Sequence, residues 1–354
     1  METKKTVKLA ASRIGRNNPP PDANPYNPAY SEAAARVHGD GNLERTLATY
    51  RMAGEAGADV IVSTENVRAW GSYTSFEQHG LLMKLLDRIP GPLTDAVGDI
   101  SKKYGMYTAT NFDCLENDGK VYNTTVFIGR DGKIIGKYRK THLPASENWI
   151  ITPGTEYPVF ETDIGRIGFS ICHDIAFPEQ MRCMAVNGAD IILHATGGWG
   201  FVLNHSAYGL ALLQVRAAEN SVFLVNSYAM NKNVPGSSSC IISNRGDLLA
   251  ENLSQDVDGI VMAEIVPDYE LLHDNNMWNF FSDVRSERMR LMLERAPETY
   301  GALMNPNPPL AAKYYPQYKY AKTREEIAPI SAIFNQARQD GFNGKGSELF
   351  RKEW

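Results

Sequence analysis

Helical segments and short apolar strands alternate along most of this chain, and polar or glycine-rich loops follow the strands. Apolar runs at 58–63, 189–194 and 222–226 have the length and composition of buried strands, and each follows a segment with helical character. The Asp-Gly pair at 131–132 is a strong hairpin signal between two further strands. Helices that separate buried strands pack against the faces of the sheet. The alternation therefore predicts a mixed α/β architecture with one continuous core.

Composition and charge argue against two classes of partner. Of 354 residues, 43% are hydrophobic and 22% are charged, as in an ordinary soluble globular protein. The net charge of −5 indicates no basic surface for nucleic acid. No stretch approaches the roughly 18 to 20 apolar residues that cross a bilayer. We therefore expect neither a nucleic-acid nor a membrane partner.

The N-terminus and the cysteines predict a cytoplasmic protein. The apolar run at 7–14 is too short for a signal peptide and is interrupted by Arg13, so we interpret it as a first β-strand. The cysteines lack the CxxC spacing of a structural zinc site and are too scattered for a disulfide framework. They are Cys114, Cys172, Cys183 and Cys240. A reducing compartment fits this usage best.

One of these cysteines lies where a predicted strand gives way to a helix. The apolar run 166–171 ends at Cys172, polar residues follow, and Pro178 suits the first turn of a helix. Such an elbow often presents a catalytic nucleophile. A lone cysteine beside an apolar run is nevertheless more often a small core residue. Companion residues must decide between the two interpretations.

Two charged residues also follow predicted strands. Glu65 lies just beyond the run at 58–63, and Lys140 lies beyond the second strand of the predicted hairpin. Ligands usually bind at the carboxyl ends of strands in sheets with helical crossovers. Taken singly, each residue fits a solvated loop better than a site. Together with Cys172 they predict a shared site.

The segments around these three residues resemble those of the nitrilase, or carbon-nitrogen hydrolase, superfamily. They are Val-Ser-Thr-Glu at 62–65, Lys-Tyr-Arg-Lys-Thr-His-Leu-Pro at 137–144, and Ile-Cys-His-Asp at 171–174 with Phe-Pro-Glu at 177–179. The resemblance covers about 7–266. It implies a four-layer αββα sandwich of the α/β class, which packs back to back in a homodimer or higher homo-oligomer. It also implies that neither a metal nor an organic cofactor takes part.

The resemblance further implies a catalytic set, which consists of Glu65, Lys140, Cys172 and Glu147. A cysteine with the usual pKa of about 8.5 is only a few per cent thiolate at pH 7, so the nucleophile needs a base and a cation. Glu65 would be the base. The Lys140 ammonium and the His173 backbone N–H would hold the oxyanion. Glu147 would orient Lys140 and the substrate.

The residues after the nucleophile favour a carboxamide substrate, cleaved with release of ammonia or an amine. Nitrile-cleaving members typically have Trp-Glu there, whereas this chain has His173-Asp174. N-carbamoyl-D-amino-acid hydrolases carry arginines that pair the substrate carboxylate, and this chain has Ile175-Ala176. The alternatives are N-carbamoyl amino acid or amine hydrolysis, nitrile hydrolysis, and an inactive binding protein with the same fold.

Other residues are weaker candidates. Those predicted to bind substrate are His173, Trp199 and Tyr208. Plain packing is an equal alternative for the last two. His194 and His205 match no common zinc spacing, so we interpret them as structural histidines. Cys183 is predicted to lie in the core.

Two segments differ in composition from the rest of the chain. The segment at 17–30 is rich in proline and asparagine, which predicts an exposed loop, either a lid over the site or a surface excursion. Residues 1–300 form the predicted hydrolase domain, and residues 301–354 form a C-terminal extension with many tyrosines and prolines. Tyrosines suit a subunit contact, so we predict an intersubunit arm. The alternative is an arm folded back on its own subunit.

Overall fold

The computed structural model describes residues 6–15, 18–70, 78–144, 147, 150–197, 206–230, 238–252, 258–267, 269, 288 and 292–305. Helices and strands alternate in these ranges as the sequence predicts. The helices are α1 (Glu32–Glu55), α2 (His79–Leu85), α3 (Pro92–Tyr104), α4 (Pro178–Val186) and α5 (Ser206–Asn220). The strands are β1 (Val7–Gly15), β2 (Val60–Val62), β3 (Tyr107–Leu115), β4 (Val121–Ile128), β5 (Ile134–Arg139), β6 (Phe160–Thr162), β7 (Gly165–Ile171), β8 (Ile191–Thr196), β9 (Phe223–Met230), β10 (Ser239–Ile242), β11 (Leu248–Asn252) and β12 (Gly259–Ile265).

The described strands form two six-stranded sheets that meet at β1. Most of β1 pairs with β2 and β12, in the order β5-β4-β3-β2-β1-β12. Only residues 13–15 of β1 pair with β9, which belongs to the order β6-β7-β8-β9-β10-β11. Parallel pairings give β1, β2, β3, β7, β8 and β9 a common direction. β5 shares it, because two antiparallel pairings separate β5 from β3.

The two sheets pack face to face, and helices cover their outer faces. Phe127 of β4 contacts Phe169 of β7 with ring centroids 5.4 Å apart. Each such buried ring stabilises the fold by about 1.5–3 kcal/mol. On one outer face, apolar residues of α1 and α3 cluster with Phe112 of β3. On the other, Met184 of α4 lies so close to Gly168 of β7 that any larger side chain there would crowd it and collide with Ile192. The predicted α/β sandwich with αββα layers is confirmed.

The segment 18–30 is a loop, as predicted, with one 3₁₀ turn at Pro21–Ala23. It is only partly exposed, because Ala23 is buried in a cluster of apolar side chains. The prediction that Cys183 lies in the core is wrong. Cys183 is exposed, since it lies on the solvent side of α4 while Met181 and Met184 face the core.

No helix within the described ranges is long and apolar enough to cross a membrane. The predicted domain boundary at 300/301 falls inside an exposed 3₁₀ helix, Pro297–Met304. Residues 306–354 lie outside the described residues, so the intersubunit arm stays a prediction.

Candidate active site

The candidate site lies where strands of both sheets end. Glu65 follows β2, Lys140 follows β5 and Cys172 follows β7. Because these strands run in one direction, the residues after them reach the same end of the sandwich. Glu65 and Lys140 therefore make contact although they are 75 residues apart in the chain.

Lys140 binds two carboxylates. Its Nζ donates to Glu65 Oε1 at 2.7 Å and to Glu147 Oε2 at 2.9 Å. The Lys140 side chain is fully buried, whereas those of Glu65 and Glu147 are 9% and 19% exposed. Burial alone would lower the pKa of Lys140, but the two carboxylates hold it well above its usual value. Lys140 is therefore a fixed positive charge.

The Glu65 carboxylate is held by several donors. Besides Lys140, Oε1 accepts from Asn123 Nδ2 at 2.9 Å, and Oε2 accepts from the Gly197 N–H at 2.9 Å. The Cys172 thiol lies near this carboxylate and helps to lower the pKa of Glu65. Burial alone would raise the pKa of Glu65, but Lys140 and these hydrogen bonds hold it below its usual value. Glu65 is thus an ionised base beside a thiol, which is the arrangement that general base catalysis uses.

Cys172 combines a strained backbone with a protonated thiol. Its φ of 46° lies in the left-handed region, which non-glycine residues rarely adopt, at the start of the 3₁₀ helix Cys172–Ala176. Burial and then the Glu65 charge raise the pKa of the thiol to about 12, against the opposing effects of Lys140 and of a hydrogen bond with Thr196. The thiol therefore keeps its proton at pH 7 until a base removes it.

Asp174 ties the lysine segment to the nucleophile elbow. It is fully buried. Oδ2 accepts from the Tyr138 hydroxyl at 2.7 Å and the Ile171 N–H at 3.0 Å, and Oδ1 accepts from the Thr141 hydroxyl at 3.0 Å and the His142 N–H at 2.9 Å. Burial opposes ionisation, but hydrogen bonds from the His142 side chain, the Tyr138 hydroxyl and the backbone N–H groups of His142 and Ile171 hold the pKa of Asp174 below its usual value. An ionised carboxylate thus joins two segments that are distant in the sequence.

The proline-rich segment 18–30 borders the segment that carries Glu147. Ala23 belongs to the same apolar cluster as Leu143 and Ile150, which flank Glu147 in the chain. The segment is therefore packed beside the candidate site. Its closure over a substrate stays a prediction.

The remaining predicted site residues are placed as follows. The His173 ring meets Phe177 edge-on, with centroids 5.3 Å apart. Trp199, His205 and the Tyr208 side chain lie outside the described residues. His194 is fully buried on β8. In the described ranges no group of histidine, cysteine, aspartate or glutamate side chains is arranged to hold a metal ion.

Several buried polar residues around this set were missed from the sequence. They are Asn111, Asp113, Asn123, Asp174 and Thr196. A signal existed for the first three, because they interrupt strands that are otherwise apolar or made of threonine. A buried polar group is costly unless it is hydrogen-bonded, so such interruptions indicate a built network.

Residues 34–271, well over half of the chain, match the family model described as Carbon-nitrogen hydrolase. The chain belongs to the carbon-nitrogen hydrolase family. The resemblance carried by the three sequence motifs is thereby confirmed, and the protein is an enzyme of this hydrolase class.

Curated relatives of this carbon-nitrogen hydrolase have two kinds of name. The omega-amidase NIT2 of Xenopus tropicalis is 26% identical over 63% of this chain and 85% of the relative. The nitrilase of Pyrococcus abyssi is 31% identical over 53% of this chain and 68% of the relative.

Solved structures share the fold of this hydrolase. A cysteine-to-alanine mutant of the amidase from Nesterenkonia sp. AN1, in complex with butyramide, has a TM-score of 0.56 and 18% identity, and covers 74% of this chain and 92% of that one. Another structure of that amidase, with the acetamide moiety of fluoroacetamide added covalently at the active-site cysteine, has a TM-score of 0.58 and 17% identity, and covers 83% and 95%.

Proposed function

We propose that this carbon-nitrogen hydrolase cleaves small carboxamides through a thioester on Cys172 and releases ammonia or an amine. One observation carries the proposal: Glu65 binds the Lys140 ammonium and lies near the Cys172 thiol, whose pKa the Glu65 charge raises. A nucleophile, its base and a permanent cation are therefore adjacent, which is what acyl transfer to cysteine requires.

The first step couples proton transfer to attack. The thiol is protonated at rest, so its proton passes to Glu65 as the sulfur bonds to the carbonyl carbon. Negative charge develops on the carbonyl oxygen, where the Lys140 ammonium and the His173 backbone N–H stabilise it. The first N–H groups of a helical turn have no acceptor within the turn, which leaves the His173 N–H available for this purpose.

In the rest of the cycle Glu65 passes the thiol proton to the leaving nitrogen and later passes a proton from water back to the sulfur. Glu65 protonates the leaving nitrogen, the C–N bond breaks, and the acyl group remains on Cys172 as a thioester. A water molecule then gives a proton to Glu65 and attacks the thioester carbon. Collapse of this adduct expels the sulfur, which regains its proton from Glu65 as the carboxylic acid leaves.

Glu147 is the orienting residue of this scheme. Its carboxylate accepts from Lys140, as that of Glu65 does, so two carboxylates hold the ammonium. Burial raises the pKa of Glu147, and the Lys140 charge opposes that rise. The partial exposure of its side chain lets it reach a substrate amide as well.

The elbow supports a neutral amide as substrate. Asp174 is engaged by donors within the protein, and Ile175 is fully buried. Ile175 and Ala176 stand where an arginine pair would bind a substrate carboxylate. The names omega-amidase and amidase among similar proteins support the same class. The nitrilase relative makes nitrile hydrolysis the second candidate.

We also infer a cytoplasmic homo-oligomer, dimeric or larger. The four cysteines are free thiols, which supports a reducing compartment. Leu303 and Met304, near the start of the C-terminal extension, are 63% and 82% exposed, which supports a subunit contact there.

A substrate panel tests the proposed function. Carboxamides, nitriles and N-carbamoyl compounds of matched side chain are compared by kcat/KM, with released ammonia or amine as the readout. The best carboxamide should exceed its matched nitrile and N-carbamoyl compound by at least about tenfold. A nitrile or N-carbamoyl compound clearly above every carboxamide would overturn the substrate class, and wild-type activity in Cys172→Ala would overturn the mechanism.

A further inference from the structure

A closed circuit of hydrogen bonds runs from the turn after Glu65 back to the Glu65 carboxylate. The Asn66 backbone N–H donates to Asn111 Oδ1 at 2.7 Å. Asn111 Nδ2 donates to Asn123 Oδ1 at 2.9 Å, and Asn123 Nδ2 donates to Glu65 Oε1 at 2.9 Å. Asn111 and Asn123 are 0% and 3% exposed. Two neighbouring strands, β3 and β4, thus connect the backbone at residue 66 to the side chain of residue 65.

The direction of every bond in the circuit follows from its first donor. A backbone N–H can only donate, so the Asn111 atom that faces it must be the oxygen and the Asn111 NH₂ must face Asn123. Asn123 therefore presents its oxygen to Asn111 and its NH₂ to Glu65. A flip of either amide would bring two donors or two acceptors together.

The start of the circuit is itself anchored. Asn66 has a left-handed φ of 54°. Its Nδ2 donates to Asp113 Oδ2 at 2.6 Å, and its Oδ1 accepts from the Trp70 N–H at 3.2 Å. Asn111 and Asp113 are two apart on β3 and so share one face of the strand. The turn that carries Glu65 is therefore fastened to β3 through Asn111 and Asp113.

We propose that Asn123 is a positioning residue that aims the Glu65 carboxylate at the Cys172 thiol, and that Asn111 sets the orientation of Asn123. The inference rests on the proposed role of Glu65 as the base. Lys140 and Asn123 together occupy Oε1, which leaves Oε2, held by the Gly197 N–H, to receive the proton. Without Asn123 the terminal torsion of Glu65 is less restricted. Loss of the donor also removes a hydrogen bond that favours the ionised form, so the pKa of Glu65 rises.

The test compares Asn123→Leu with the matched control Thr125→Val. Thr125 Oγ1 accepts from Asn111 Nδ2 at 3.2 Å, so valine removes a bond of the same buried network without touching Glu65. Asn123→Leu should lower kcat about 10²-fold, change KM less than about threefold, and move the acid limb of the kcat profile to higher pH. Thr125→Val should leave all three nearly unchanged. An unchanged kcat and acid limb in Asn123→Leu, or equal losses in Thr125→Val, would overturn the proposal.

Two further measurements separate positioning from folding and from substrate choice. Asn123→Ser, whose short side chain cannot reach Glu65, replaces the leucine variant if circular dichroism shows that leucine prevents folding. The rate of Cys172 alkylation by iodoacetamide, followed against pH by mass spectrometry, reports proton transfer to Glu65 without amide turnover. Alkylation should be slower in Asn123→Leu than in wild type. Slower alkylation in an enzyme that cleaves no amide would refute the proposed function alone, whereas unchanged alkylation would refute the positioning role.

Discussion

The Tyr138 hydroxyl donates to Asp174 Oδ2 at 2.7 Å and so joins the end of β5 in one sheet to the elbow after β7 in the other. The Tyr138 ring stacks on Phe169, with centroids 6.5 Å apart and planes 16° apart. Burial raises the pKa of Tyr138 well above its usual value, so the hydroxyl remains a donor throughout the working pH range. Lys140 and Cys172 each lie within two residues of this contact. The distance between Lys140 and Cys172 therefore depends on the Tyr138–Asp174 hydrogen bond.

We expect Asp174→Asn to lower stability and activity together. The asparagine NH₂ would face donors that now converge on a carboxylate, and a hydrogen bond to a charged group contributes about 1.5–3 kcal/mol. The thermal midpoint should fall, and kcat/KM for the best amide should drop about 10²-fold because the site geometry shifts. Asp258→Asn is the matched control, since it removes a partly exposed ion pair with Arg45 and keeps an acceptor for the Gly15 N–H. A folded Asp174→Asn enzyme with full activity would contradict the argument.

Cys172 should be the only cysteine that turnover requires. Cys172→Ala should abolish activity, because it removes the nucleophile. Cys114→Ala and Cys240→Ala each delete a buried sulfur and should cost on the order of 1 kcal/mol of stability while activity is partly kept. Cys183 is exposed, so Cys183→Ala should change neither stability nor activity. Intact-mass spectrometry during turnover should detect one acyl adduct, and an adduct that persists in Cys172→Ala would refute the assignment.

The free energy of unfolding should fall as pH rises, because Asp113 is buried. Burial, with the Glu147 and Glu65 charges next in importance, raises its pKa from 3.8 to about 8. The unfolded chain ionises this carboxyl near pH 3.8 while the folded chain does not, so its contribution to stability is full below pH 3.8 and is lost as pH rises to about 8. Asp113→Asn keeps an acceptor for Asn66 Nδ2 and removes the titration.

Urea unfolding at several pH values checks this prediction. The midpoint of the wild type should decline between about pH 4 and pH 8 more steeply than that of Asp113→Asn, and the variant should gain on the order of a few kcal/mol relative to wild type at pH 8. Parallel pH profiles for the two proteins would show that Asp113 is ionised in the folded state.

The C-terminal extension should contribute to the assembly. A chain that ends at Met304 retains every described strand and helix of the sandwich, so we expect it to fold. Sedimentation should show a smaller or more readily dissociating assembly than that of the full chain, because the tyrosine-rich segment is lost. Identical assembly masses and thermal midpoints for the two chains would mean that the segment is neither an intersubunit contact nor a structural brace.

The order of the elements and the three motif residues could be predicted from the sequence because their signals are local. Asp131-Gly132 directs the turn between β4 and β5, and Pro178 starts α4, as expected. Lys140 and Cys172 directly follow recognisable strands, and Glu65 stands three residues beyond one. Parallel strand direction then brings such positions to one end of the sandwich.

The contacts between those positions depended on the tertiary structure. Asn123 and Glu65 are 58 residues apart and Tyr138 and Asp174 are 36 apart, and no spacing rule connects residues at such distances. The exposure of Cys183 depended on which face of α4 meets the sheet. The pKa of the Cys172 thiol depended on burial beside two carboxylates. A sequence determines which groups are present, whereas desolvation and hydrogen-bond direction arise only when distant strands enclose them.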